Sequence, residues 1–144
     1  MKKLLLILLC LSSCTVIKTI SNSVNEQEFK ILAKEKNKVF ISSSHKSLSE
    51  KIVKYTKREI KKWGYWVVTD NEKEADFILD IDMINMPGLV VIDISADFIN
   101  PNDKKTFKSI KVEPWGFNFI FNTTRWSVKK IINKKIKPFV KTLD

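Results

Sequence analysis

The fold is decided by residues 38–69, which read KVFISSSHKSLSEKIVKYTKREIKKWGYWVVT. Two short runs rich in β-branched and aromatic residues, 38–42 and 65–69, flank a longer stretch with apolar residues every three or four positions. The short runs predict strands, and the spacing between them predicts an amphipathic helix that begins after Ser47 and ends at Gly64. This order of elements predicts a βαβ unit with parallel strands.

The helix between these strands has recognisable ends. Ser47 followed by Glu50 predicts a capping box, in which the two side chains satisfy backbone N–H groups at the helix start. Gly64 suits the left-handed conformation that often ends a helix. We expect His45, in the polar loop before the helix, to be an ordinary surface residue. The apolar face is predicted to consist of Leu48, Ile52, Tyr55, Thr56, Ile60 and Trp63.

After residue 69 the pattern changes to longer alternating runs. Residues 75–84 and 89–99 place apolar and polar side chains on opposite faces of two strands, and Pro87-Gly88 turns the chain between them. The whole pattern predicts an α+β two-layer sandwich, with a mixed, mostly antiparallel sheet of four to six strands and two helices on one face. The remaining predicted elements are a strand near 106–112, an aromatic strand at 115–121 and a C-terminal helix from Thr123 or Thr124 with a kink at Pro138.

The first fourteen residues have the composition of an export signal. Lys2 and Lys3 precede an apolar run that extends to Leu11, and small residues follow it. The run is much shorter than the roughly 20 residues that a membrane-spanning helix needs. The segment Leu11-Ser12-Ser13-Cys14 matches a lipobox, and residues 1–14 resemble the export signal of bacterial lipoproteins.

That resemblance implies how the chain is processed and where it resides. Cys14 would receive a diacylglyceryl group, residues 1–13 would be removed, and the new N-terminus would be acylated. Two or three acyl chains hold a protein on a membrane stably. Thr15 in place of Asp favours the outer membrane of a Gram-negative cell. We therefore expect an envelope protein on the outer membrane, facing the periplasm or, alternatively, the cell surface; an ordinary signal peptide with a chance cysteine is the competing interpretation.

Composition limits the chemistry of the mature chain. Residues 14–37 predict a lipidated N-terminus and polar tether, which leaves 38–144 as a single α+β domain. Cys14 would be its sole cysteine, so a disulfide, a cysteine nucleophile and a zinc finger are excluded, and we expect neither metal nor cofactor. Export argues against nucleic acid as a partner, although 24 basic residues against 16 acidic ones leave a net charge of +8. Within the tether, 26–36 predicts a short helix with the apolar contacts Phe29, Ile31 and Leu32.

The two main predicted helices carry 13 of these 24 basic residues. Because the helices are expected to pack side by side, their outer surface is predicted to be basic. It is either a solvated lysine-rich surface or one attracted to anionic lipid or lipopolysaccharide, at about 1 kcal/mol for each cation close to a bilayer. The candidate contact residues are Lys54, Lys57 and Lys61 on the first helix and Lys130, Lys134 and Lys141 on the last.

The sheet face away from the helices is predicted to be acidic, with Asp80, Asp82, Asp93 and Asp97 at alternate positions. The simplest interpretation is an alternation of wet and dry positions. The alternatives are a face for a protein partner, a cation site and a carboxylate pair for hydrolysis, although no calcium-loop pattern is present. An aromatic row is predicted to be core, sheet edge or an exposed patch, and consists of Trp115, Phe117, Phe119 and Phe121.

The sequence contains no phosphate-binding loop, catalytic-triad order or metal-spaced cluster. We therefore expect a noncatalytic binding or scaffold domain with an unknown envelope protein as partner, such as an accessory subunit of an envelope assembly. An immunity-type lipoprotein that neutralises a toxin is the alternative, and a wall-active hydrolase is the third class. The element order, with Gly64 and Ala75-Asp76, is loosely similar to small α/β domains of envelope lipoproteins over residues 38–143, which carries over no catalytic motif.

Overall fold

The computed structural model describes residues 26–85, 91–112 and 123–143. Its strands are β1 (Lys38–Ser42), β2 (Val67–Thr69), β3 (Phe77–Asn85), β4 (Val91–Ile99) and β5 (Thr106–Val112). Its α-helices are α1 (Glu26–Leu32), α2 (Ser49–Trp63), α3 (Thr123–Ile131) and α4 (Lys137–Val140). A 3₁₀ turn covers Glu72–Glu74, and a π turn at Ile132–Ile136 joins α3 to α4.

The five strands form one sheet in the order β2-β1-β3-β4-β5. β1 is parallel to both of its neighbours, so that Val39 lies opposite Val68 on one side and Phe77 on the other. β3, β4 and β5 are antiparallel and form the longer strand pairs. Because α2 connects the parallel strands β1 and β2, the predicted βαβ unit is present. The structure confirms an α+β sandwich with a mixed sheet.

The core lies between the sheet and the helices. On α2, Ile52 and Ile60 are fully buried, as the predicted helical spacing requires. The burial of such apolar side chains is the main favourable contribution to folding. The buried residues of the central strands alternate as predicted and are Phe77, Leu79, Ile81, Met83, Ile94, Ala96 and Phe98; the last helix adds Val128, Ile131, Ile132, Ile136 and Val140.

The face of the sheet away from the helices is not uniformly wet. Ile78 was predicted on the wet side of β3, but its side chain is only 5% exposed. It lies between Phe40 of β1 and Ile99 of β4, its direct neighbours across the strands, and these apolar side chains shield it. Farther along the same strand and face, Ile84 is 56% exposed.

Helix α1 belongs to the folded domain. The ring of Phe29 lies 5.1 Å from that of Phe98 and 5.5 Å from that of Phe139, measured between centroids. The indole N–H of Trp66 donates a 3.0 Å hydrogen bond to the carbonyl of Ala33. The predicted short helix is therefore present, although Ile31 is 59% exposed and makes no contribution to the core.

This packing corrects the predicted boundary between tether and domain. Residues 26–37 were assigned to the tether because they are polar on average, but their apolar residues Phe29 and Ala33 are buried against the core. The folded domain therefore extends at least to Glu26. Residues 14–25 lie outside the described residues.

Helix α2 ends where the sequence predicts. Gly64 follows α2 in the left-handed conformation, with φ 71°, and its N–H donates to the carbonyl of Ile60. Pro138 is the second residue of α4, directly after the π turn, where the Lys137 N–H donates to the carbonyl of Ile132. Proline is tolerated in the first turn of a helix because the N–H that it lacks has no partner there in any case. The kink expected at Pro138 stays a prediction.

Candidate functional site

Helices α2 and α3 contact each other on the same side of the sheet, so their outer sides form one surface. On α2 the apolar residues share one side, which directs most of the charged residues to solvent. The predicted contact residues Lys54, Lys57 and Lys61 lie on this outer side. They belong to what we call the basic groove, lined by Glu50, Val53, Lys54, Lys57, Arg58, Lys61 and Lys62.

Some cations of the basic groove form ion pairs with acidic residues. The ammonium of Lys57 lies 2.5 Å from a carboxylate oxygen of Asp70, which follows β2. The hydrogen bond from Lys57, and then its charge, lower the pKa of Asp70; burial opposes this shift, and the charge of Lys61 adds the smallest contribution to it. Lys57 is therefore partly neutralised within the protein itself.

Arg58 and Lys62 share a second counter-charge. Glu59 is 7% exposed, and its carboxylate lies 3.6 Å from Arg58 Nε and 3.7 Å from Lys62 Nζ. The Arg58 guanidinium also lies over the ring of Tyr55, 5.2 Å from its centroid. In the described part of the chain, Lys54 and Lys61 are thus the lysines of the basic groove that form no ion pair.

The outer side of α3 combines cations with an aromatic ring. Trp126 is 40% exposed, and the ammonium of Lys130, one helical turn later, lies 4.8 Å from its ring centroid. We call the group Trp126, Lys129, Lys130, Asn133 and Lys134 the Trp126 surface, because these residues line one shallow depression. Of the predicted contact residues, Lys130 and Lys134 lie in it, whereas Lys141 lies beyond α4, outside both groups.

The four predicted aspartates share the sheet face away from the helices. Asp80 and Asp97 are directly opposite each other across β3 and β4, whereas Asp82 lies opposite Ser95 and Asp93 opposite Ile84. Their side chains are half-buried rather than fully wet. The register therefore brings two carboxylates face to face and leaves the other two beside neutral residues.

Asp80 differs from the other aspartates because two hydroxyl groups donate to it. Ser42 at the end of β1 donates a hydrogen bond of 2.6 Å, and Ser44 in the following loop donates one of 3.0 Å. Charge-assisted bonds of this kind stabilise the carboxylate and tie the loop to the sheet. Asp80 thus has a structural role between two strands.

His45 is not an ordinary surface residue. Its Nδ1 accepts hydrogen bonds from the backbone N–H groups of Ser47, at 3.2 Å, and Leu48, at 3.0 Å. The N-cap of α2 is Leu48, with no capping side chain of its own, so the predicted capping box of Ser47 and Glu50 is wrong. The imidazole, three residues before the N-cap, instead holds the turn that leads into α2.

Sequence reasoning missed both His45 and Trp126 as residues of interest. Trp126 could have been found, because the helical spacing of Val128, Ile131 and Ile132 leaves it off the apolar side of α3. His45 carries no such signal, since its role depends on how the loop folds back on the helix start.

Two of the predicted features lie outside the described residues: the lipidation site Cys14 and the aromatic row from Trp115 to Phe121. Within residues 26–85, 91–112 and 123–143, no helix has the length and apolar character needed to span a bilayer. In the same ranges, no three His, Cys, Asp or Glu side chains are placed so that they could hold a metal ion.

The chain has matches among solved structures. No family model matches the chain, and no curated protein does. A solved structure from Helicobacter pylori, described as a neuraminyllactose-binding hemagglutinin homolog, aligns with 76% of this chain and 90% of its own. The identity is 10% and the TM-score is 0.37, values too low to support an argument about function.

Proposed function

We propose that the mature chain is a lipid-anchored protein of the cell envelope. Its domain is a noncatalytic binding module whose helix layer, formed by α1 to α4, faces an anionic membrane surface. The proposed anchor rests on the lipobox at Leu11-Ser12-Ser13-Cys14. The proposed orientation of the domain rests on the arrangement of its charges and on where the tether joins it.

The observation that carries the orientation is the position of α1. Phe29 of α1 packs on Phe139 of α4, so the chain that leads back to Cys14 joins the domain at the helix layer. An anchor attached on this side brings the basic outer surface of the helices toward the lipid headgroups. The acidic face of the sheet then points away from the membrane.

Electrostatics favour the same orientation. Lys54 and Lys61 on α2 are exposed and form no ion pair within the described residues, and each cation close to an anionic bilayer contributes about 1 kcal/mol. Aspartates on the opposite face would be repelled by the same bilayer. Both effects favour the orientation in which the helix layer faces the bilayer and the acidic sheet face points away from it.

A vesicle experiment tests the docking of the domain. We would use residues 26–144, which keep α1, and check folding by circular dichroism before measuring flotation with phosphatidylglycerol-containing and pure phosphatidylcholine vesicles. We expect binding only to the anionic vesicles and its loss in salt, since the Debye length falls from about 10 Å at 0.1 M to about 3 Å at 1 M. Equal behaviour with both kinds of vesicle at low salt would overturn the proposed docking.

The matched variants have the same net charge. Lys54→Glu/Lys61→Glu reverses two cations of the basic groove and should weaken anionic binding strongly. Lys73→Glu/Lys105→Glu reverses two exposed cations on the β2–β3 and β4–β5 connections and should weaken it far less. An equal loss in both variants would mean that only net charge matters.

The anchor has its own test. The full chain should incorporate radioactive palmitate and partition into detergent, while Cys14→Ser should lose the label. Label retained by Cys14→Ser would show that Cys14 is not the acylated residue.

A second candidate function follows from the shared acidic face. With the helix layer on the membrane, Asp80, Asp82, Asp93 and Asp97 would be presented to a basic protein partner, as in an immunity-type lipoprotein that neutralises a toxin. Affinity purification of the anchored protein from membranes would identify such a partner, and Asp82→Asn/Asp93→Asn should reduce its recovery. A hydrolytic turnover that one of these substitutions abolishes would contradict the noncatalytic assignment.

A further inference from the structure

Beyond the general attraction of the helix layer, one part of it has the chemistry of a bilayer interface. Trp126 is a large aromatic side chain with 40% of its surface in solvent, on a helix whose other apolar residues are buried. Trp is favoured at the headgroup level of membranes, because its ring is apolar while its N–H can still donate a hydrogen bond. An exposed indole on the membrane-facing side is therefore a candidate contact with lipid.

The residues around this indole are cationic, and the described part of the chain gives them no acidic partner. Lys129, Lys130 and Lys134 line the Trp126 surface, and the segment 123–143 contains no Asp or Glu. Lysine side chains on either side of a tryptophan can lie along the apolar boundary while their ammonium groups reach lipid phosphates. The Lys130 ammonium already lies 4.8 Å from the Trp126 ring centroid, so the cation and the ring would reach the headgroups together.

The tether limits how far this surface can be from the bilayer. Eleven residues, 15–25, separate Cys14 from Glu26, and a chain of that length spans at most about 40 Å. If Cys14 is acylated, the domain is confined to that distance from the lipid, which raises the effective concentration of headgroups at its surface. Weak contacts by a few side chains are then sufficient for docking.

We infer that the Trp126 surface is the point at which the domain contacts the bilayer, with the Trp126 indole among phospholipid headgroups and Lys129, Lys130 and Lys134 on their phosphates. This inference rests on the proposed function, which it extends by naming the contact residues and the lipid phosphate as their ligand. The basic groove of α2 then supplies long-range attraction, and the Trp126 surface supplies the contact itself.

The test uses the full acylated chain, purified in detergent and reconstituted into vesicles of phosphatidylcholine and phosphatidylglycerol that contain a brominated phosphatidylcholine. Bromine quenches indole fluorescence only at close range, so quenching reports contact with lipid. We expect clear quenching for the wild type, loss of most of it in Trp126→Phe, and its retention in Trp63→Phe, the control on α2. Lys129→Gln/Lys130→Gln/Lys134→Gln, which keeps Trp126, should reduce the quenching at least twofold. Its circular dichroism should be unchanged.

Lysine footprinting on the same vesicles separates this inference from the proposed function. Amine labelling should fall at Lys54, Lys61, Lys129, Lys130 and Lys134, but not at Lys73 and Lys105. If the lysines of α2 are protected while Trp126→Phe changes no quenching, the domain docks but the Trp126 contact is refuted. If no lysine is protected, both proposals fail. A change in Trp126 emission caused by soluble lipopolysaccharide oligosaccharide, and not by brominated vesicles, would assign the surface to a glycan and overturn the inference.

Discussion

Just before α2, one imidazole nitrogen holds the turn that leads into the helix. Nδ1 of His45 accepts the backbone N–H groups of Ser47 and Leu48, which have no helical carbonyl to bind. Two donors at the start of α2 are thus satisfied by one side chain.

Replacing this imidazole should be costly in proportion to the hydrogen bonds lost. His45→Ala is expected to lower the free energy of unfolding by about 1 kcal/mol, the usual effect of removing a capping side chain. His45→Asn, which keeps an acceptor atom, should recover part of this loss. Urea denaturation followed by circular dichroism measures both, with Lys46→Ala at the neighbouring exposed position as the control. Equal destabilisation by His45→Ala and Lys46→Ala would contradict the role of the imidazole in holding this turn.

The pair of Lys57 and Asp70 makes stability depend on pH. Because the pKa of Asp70 is lower in the folded chain than in the unfolded one, ionised Asp70 favours the fold at every pH above its unfolded pKa. This contribution disappears as the pH falls through the lower, folded value. Asp70→Asn should therefore be slightly less stable than the wild type near neutral pH, and the difference should vanish in strong acid.

The cause of that shift can be measured directly. An NMR titration of the Asp70 carboxyl should give a pKa below the ordinary range in the wild type and a higher one in Lys57→Met. Lys54→Met, which removes an exposed cation of the same helix, is the control and should leave the titration nearly unchanged. Identical titrations in the wild type and Lys57→Met would show that this ion pair does not form in solution.

Among the elements, the pairing of β3 with β4 sets two carboxylates against each other. Asp80 and Asp97 occupy directly opposed positions, and like charges in such a pair are destabilising. Asp80 accepts hydrogen bonds from Ser42 and Ser44, so Asp97 is the member of the pair that can be changed without losing them. The sheet tolerates this repulsion because both side chains are only half-buried and remain partly hydrated.

Relieving the repulsion should stabilise the sheet. Asp97→Asn is expected to raise the free energy of unfolding by about 0.5 kcal/mol, within the range for cross-strand pairs. Asp93→Asn, whose cross-strand neighbour is Ile84, should produce little change and serves as the matched control. The gain should shrink at high salt. A stability loss in Asp97→Asn larger than that in Asp93→Asn would show that Asp97 makes a favourable contact instead.

For the whole molecule, the extent of the domain depends on α1. Phe29 links β4 to α4 through ring contacts with Phe98 and Phe139, so it connects the beginning of the domain to its end. Residues 26–37 are therefore part of the cooperative unit rather than a spacer.

Substitutions within α1 test whether this helix belongs to the cooperative folding unit. Phe29→Ala should destabilise the domain by about 3 kcal/mol, as large-to-small changes of buried aromatic residues do. Ile31→Ala, two positions away on the exposed side of the same helix, should change stability by less than about 0.5 kcal/mol. Thermal denaturation of the 26–144 chain measures both. Similar midpoints for the two variants would restore the boundary at Lys38.

The sequence by itself determined the order and nature of the main elements, since each depends on local periodicity. The bounds of β1, the stop of α2 at Gly64 and the buried alternation of β3 and β4 follow from side chains within a few residues of one another. It likewise placed cations on the outer sides of two helices, because apolar spacing leaves them there.

Only the tertiary structure decided which of these groups interact. The pairing of Lys57 with Asp70, the opposition of Asp80 and Asp97, and the inclusion of α1 through Phe29 all join residues far apart in the chain. Ion pairs, strand register and core contacts depend on distances that the fold sets, and local pattern contains no information about them. For the same reason, the sequence predicts which surface is acidic and which is basic. Which cations form no ion pair could be identified only from the tertiary structure.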